Sequence, residues 1–184
     1  MKYFIIFMLA IITPVFANDF REMEWGSTPE QVIENEGASP VAKNATELMW
    51  KDSIDNKDCE VWYMFVNNKL FRGAYVFTET YSNENKYVDR YKSVNKILID
   101  KYLKPHTNEV RWDSDLYKGD HARRGMAVLV GDAVYGSQWT LKQSTIMHLL
   151  SGGNFEANHF IMYNSIQLLP EYQTQQKQKT SSKF

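Results

Sequence analysis

The sequence predicts an α+β protein in which a helix precedes an antiparallel meander twice over, in the order α-βββ-α-ββββ. Two observations carry this. Apolar residues recur every three or four positions across 83–104, the period of a helix, whereas most of the remaining chain favours a period of two, that of a half-buried strand. Turn-forming groups, Asn67-Asn68, Gly131-Asp132 and Ser151-Gly152-Gly153-Asn154, separate apolar runs, as they do between adjacent antiparallel strands. The meanders are expected to form one continuous sheet or two packed sheets.

Residues 1–17 read as a signal peptide. Met1-Lys2 is a short basic start, residues 3–12 are apolar, and Val15-Phe16-Ala17 ends in the small residue that a cleavage site needs. The apolar run falls well short of the ~20 residues of a membrane span, and Pro14 ends it. No cysteine follows the cleavage site, so a lipid anchor is not expected, and the lone Cys59 excludes an intramolecular disulfide. An exported protein, periplasmic or secreted, with no stable membrane insertion, is the expectation.

The first mature helix starts at Thr28, a good N-cap followed by Pro29 at the first helical position and Gln31 at the capping-box position; Gly37 supplies the stop. Strands are expected at 46–51, 59–66 and 69–80, with Asn67-Asn68 as a tight hairpin turn, because asparagine tolerates positive φ. Arg72-Gly73 breaks the apolar pattern of the third, which signals a bulge or a close approach. In the helix 83–104, Tyr87, Tyr91, Val94, Leu98 and Tyr102 form one apolar stripe, with Lys86, Asp89, Arg90, Lys92, Lys96 and Asp100 facing outward, and Pro105 ends it.

Further strands are expected at 110–112, 126–130, 133–141, 145–150 and 159–169, the second and third joined by a hairpin at Gly131-Asp132. The folded domain is thus 18–170, with pseudo-repeats 20–82 and 83–170. Residues 171–184, rich in glutamine and lysine, are expected to be a disordered polar tail. Several strands carry large apolar groups on both sides: Val61, Tyr63 and Phe65 on one, Trp62, Met64 and Val66 on the other. Such strands need a second covering layer or a binding partner.

The mature N-terminus, Phe20-Arg21-Glu22-Met23-Glu24-Trp25-Gly26-Ser27-Thr28, resembles the opening of a group of uncharacterised exported bacterial proteins. The run Asn68-Lys69-Leu70 and the helix ending Lys101-Tyr102-Leu103-Lys104-Pro105 also resemble that group. Its helix-then-meander units are similar to those of the β-lactamase inhibitor protein and of the outer-membrane assembly lipoprotein of the SmpA or BamE type. The resemblance implies an α+β fold and export; it implies no reaction and no catalytic residue.

Chemistry is sparse. Lys and Arg number 21 against 22 Asp and Glu, and the basic residues are scattered, so nothing suggests a nucleic-acid partner. No Gly-x-Ser-x-Gly elbow, His-Glu-x-x-His, P-loop or dinucleotide fingerprint occurs, and no cofactor is implied. Cys59 opens an apolar strand and reads as a small buried hydrophobe. The run 113–121 has aspartates, but its glycine and closing residue are at the wrong offsets for a calcium loop. A turn centred on Gly153-Asn154 would set His148 opposite His159, close enough to share a metal, although no Asp, Glu or Cys beside them completes a ligand set. Trp112, Tyr117, Arg123 and Arg124 are the candidate partner-binding edge, since aromatic and arginine side chains dominate interface energetics. The expected function is a non-enzymatic, exported binding or scaffold protein for another protein or a small apolar ligand. The alternatives are a proteinaceous inhibitor of an envelope or host enzyme, and a metal-dependent hydrolase using His148 and His159.

Overall fold

The computed structural model describes residues 19–181; the predicted signal peptide lies outside them. Eight strands form one antiparallel sheet: β1 (Ala42–Lys43), β2 (Glu47–Ile54), β3 (Lys57–Val66), β4 (Lys69–Phe77), β5 (Thr107–Trp112), β6 (Ala133–Thr140), β7 (Ser144–Gly153) and β8 (Glu156–Ser165). Four helices accompany it: α1 (Pro29–Glu36), α2 (Asn85–Tyr102), α3 (Arg124–Leu129) and α4 (Leu169–Ser181). The strand order is β1-β2-β3-β4-β8-β7-β6-β5. The expected α+β class therefore holds with a single sheet; a second, packed sheet is not formed among the described residues. No helix among them is long and apolar enough to cross a membrane.

Local chemistry explains much of this. The Thr28 hydroxyl accepts the Gln31 amide N–H while the Gln31 side chain accepts the Thr28 amide, and Gly37 at φ 66° closes α1 by donating to Ile33 and Glu34 carbonyls. Three hairpins use two-residue turns with both residues at positive φ: Asp55-Asn56, Asn67-Asn68 and Asn154-Phe155. That geometry matches the right-handed twist of the flanking strands. Opposite the Met64–Phe65 step the β3–β4 register slips, leaving Phe71 as the extra residue. Two residues on, Gly73 leaves room for the Phe20 ring, which any Cβ there would overlap.

Helices α1, α2 and α3 lie on one face of the sheet. Phe20, Met23 and Val32 from the N-terminal segment, with Val94 and Leu98 of α2, share a core with Trp50, Val61, Tyr63, Trp139, Ile146 and Tyr163. Val88 and Tyr91 of α2 and Ala127 and Val128 of α3 build a second with Tyr135 and Leu150.

The structure departs from the sequence reading at several points. Residues 126–130, expected as a strand, fall largely in α3. A five-residue apolar run does not distinguish the two; Gly125 decides, because its bare backbone sits against Glu84 and Asn85, where a Cβ would come within 2.1 Å, and its N–H donates to Asn85 at 2.8 Å. Gly131-Asp132 accordingly links α3 to β6 and is no hairpin turn. Arg90, expected in solvent, is 7% exposed: it donates to Asp55 (2.8 Å) and the Ile54 carbonyl (2.6 Å) and lies over Phe77. Finally, the chain from Glu171, expected to be disordered, continues α4, held by Tyr172 stacked on Phe71 at 4.5 Å and by Asn67, which bonds Glu171 and Gln175.

Candidate functional site

The sheet face opposite α1, α2 and α3 is the most distinctive surface. Pairing places Met49, Trp62, Ala74, Met162, Met147 and Gln138 in one row across six strands. A second row runs Lys51, Glu60, Val76, Phe160, Leu149, Gly136, and a third Glu47, Met64, Arg72, Asn164, Thr145, Thr140. Trp62, Met64, Val76, Met147, Leu149, Phe160 and Met162 are half-exposed and belong to neither apolar core. With strands about 4.8 Å apart and same-face residues about 6.8 Å apart, the three rows span roughly 24 Å by 14 Å between Cα positions.

This surface has a shape as well as a composition. Gly136 interrupts it, and a hollow of about 200 Å³ opens there, lined by Thr107, Glu109, Arg111, Val134, Gln138 and Leu149. Four methionines make the surroundings adaptable, since the unbranched thioether repacks against different shapes. At the margin Glu60 fixes the Trp62 indole at 2.9 Å and Asn164 holds Arg72 at 2.6 Å. The surface is thus an apolar centre with an ordered polar rim, the anatomy of a protein interface.

The sequence-predicted edge lies beside the second core. Trp112 and Tyr117 pack against the second core, Arg123 is exposed and pairs with Asp120 at 3.5 Å, and the half-buried Arg124 has its Nε buried without a partner. Cys59 is buried, and burial pushes its thiol up to about 11, far from a nucleophile's range.

The histidine pair exists, by a different register. The β7–β8 turn is Asn154-Phe155, so His148 pairs with Ile161 and His159 with Leu150. Gly152 is needed elsewhere: a Cβ there would lie 2.4 Å from the Val128 carbonyl of α3. The two rings meet diagonally, Nε2 to Nε2 at 2.9 Å, both buried. The Asn95 side-chain oxygen, 3.2 Å from His148 Nδ1, can only accept, so Nδ1 carries the proton, Nε2 is bare, and His159 Nε2–H donates to it. Tyr91 stacks on His148 at 4.2 Å and donates to Ser137, which donates to Asn108; Asn95 closes the chain. Two nitrogens sharing a tetrahedral zinc stand about 3.3 Å apart, and no cluster of three His, Cys, Asp or Glu occurs among the described residues. The geometry is that of a hydrogen-bonded neutral pair.

Burial, the neighbouring ring and the Arg90 cation push His148 down to about 2; burial and Arg90 push His159 down to about 3. Both folded values lie below the unfolded value of about 6.5. Their contribution to stability is therefore complete above pH 6.5 and lost as pH falls from there toward 3.

Comparison of the chain with family models, curated proteins and solved structures gives no match.

Proposed function

We propose that this is an exported, non-enzymatic binding protein whose open sheet face receives another protein. The reading rests on one observation above others: an apolar, methionine-rich surface across six strands that lies outside both cores. A surface that broad and shallow suits a protein better than a small apolar ligand, and the hollow over Gly136 offers a seat for one large apolar side chain of the partner. The order of elements supports the reading further. A helix precedes four strands in each half, α1-β1-β2-β3-β4 and α2-β5-β6-β7-β8, the second half differing by α3 between β5 and β6, and the two meanders join at β4–β8 in mirrored sequence. We propose that they are two copies of one unit whose joined sheet supplies the surface.

Gly136→Leu tests this with little risk to the fold, because a Cβ there meets only Leu149 Cδ1, at an ordinary 3.7 Å. A partner captured from periplasmic extract by the wild-type chain should be lost with Gly136→Leu and Met162→Lys and retained with Ile97→Lys, on the outer side of α2. Equal capture by all three variants would overturn the proposal.

A further inference from the structure

We propose that the His148–His159 pair is an acid-operated latch that holds α2 on the sheet and releases it when the pair is protonated. The geometry argues this directly. One proton serves both Nε2 atoms across 2.9 Å; a second would set two N–H groups head to head in a place with no room for water between them.

Among the described residues, the carboxylates nearest the pair are already committed to other partners. From α2, Tyr91 covers His148 and Asn95 accepts from it, while Arg90 brings a cation over Phe77, the ring that stacks on His159. Asp55 from the β2–β3 turn is committed to Arg90. From the β4–α2 connection, Glu79 is committed to Lys57 and Tyr81. From β6, Ser137 and Tyr135 bring no charge at neutral pH. Beside the pair lies a cleft of about 10 Å³ lined by residues that include Glu79, Tyr81, Tyr87, Arg90 and His159, room for one water. Protonation therefore requires separation of the rings, and α2, which caps them through Tyr91 and Asn95, is the element that must lift.

Each ring that gains a proton on opening multiplies the open population by up to tenfold per pH unit below about 6.5. For two rings the open population rises roughly 600-fold between pH 7 and pH 5, and for one ring about 25-fold.

Hydrogen exchange of the mature chain, corrected for the intrinsic pH dependence of amide exchange, reads this. Opening of the α2 amides should increase roughly 600-fold from pH 7 to pH 5, ahead of the amides of the β3–β4 hairpin. In His159→Phe, which keeps a ring on Phe77, the increase should fall to about 25-fold. No increase in the wild type, an equal increase in the variant, or a hairpin that opens in step with α2 would overturn the latch. Should His159→Phe fail to fold, imidazole resonances of the wild type decide. Neutral His148 and His159 rings at pH 5 in the closed form support the latch. His148 and His159 rings that both gain a proton by pH 5 with α2 protection unchanged refute it.

Discussion

Gly73→Ala should unseat Phe20 and with it the N-terminal segment. A Cβ at position 73 lies 2.1 to 2.4 Å from three atoms of the Phe20 ring, where carbon atoms at rest stand about 3.5–4.0 Å apart. The ring cannot retreat, because it is 2% exposed and caged by Tyr63, Tyr75 and Tyr163 at 5.2 Å each. Expulsion loses the burial of a phenylalanine, about 3–5 kcal/mol, partly offset by the roughly 0.5–1 kcal/mol that alanine gains over glycine within a strand. The net cost is about 2–4 kcal/mol, or roughly 4–16 °C in Tm for a chain of this size. Urea unfolding of Gly73→Ala, Phe20→Ala and the double variant measures it. In the Phe20→Ala background the clash is gone, so Gly73→Ala should be neutral or mildly stabilising, a coupling of about 3 kcal/mol. A single Gly73→Ala within about 0.5 kcal/mol of wild type, or the same cost in both backgrounds, would refute the reasoning.

Four further outcomes are expected. Thr28→Ala removes the α1 cap and should cost about 1 kcal/mol in the same urea assay, with Thr28→Asp retaining most of it. Asn68→Val forces a β-branched residue to a φ of 62° and should cost at least 1–2 kcal/mol, where Asn68→Gly should cost nothing. Tyr172→Ala removes the stack on Phe71 and should free α4 to limited proteolysis while leaving the midpoint of the sheet's unfolding within about 1 kcal/mol. The Cys59 thiol should resist a thiol-specific disulfide reagent at pH 8 in the folded chain and react at once in urea, because burial holds it protonated to about 11.

What was legible in the sequence follows from how local the determinants are. The α1 cap, the Asn67-Asn68 turn, the break at Arg72-Gly73 and the stripe on α2 are each written within a few neighbouring residues, and each is found where expected. The misreadings share another origin. Gly125 and Gly152 serve contacts made by segments distant in sequence, so nothing local marks the first as a helix-packing site, and the second reads as a turn residue. Arg90 reads as a solvent residue because its partners, Asp55 and the Ile54 carbonyl, come from a hairpin 35 residues away. The histidine contact was anticipated through the wrong register: a two-residue shift preserves the face on which both rings lie and changes their pairing from opposed to diagonal. The open face itself was foreshadowed by strands apolar on both sides. Its continuity across β4 and β8 rests on a long-range pairing that no local pattern encodes.

Photo-crosslinking in the native host tests the binding face most directly. A crosslinking amino acid at position 162, in the centre of the open face, should capture a discrete partner, and the same group at position 97, on the outer side of α2, should capture none. Capture from position 97 with none from position 162 would contradict the account, because partner contact would then lie on the helical side and the methionine-rich sheet face would have no role in it.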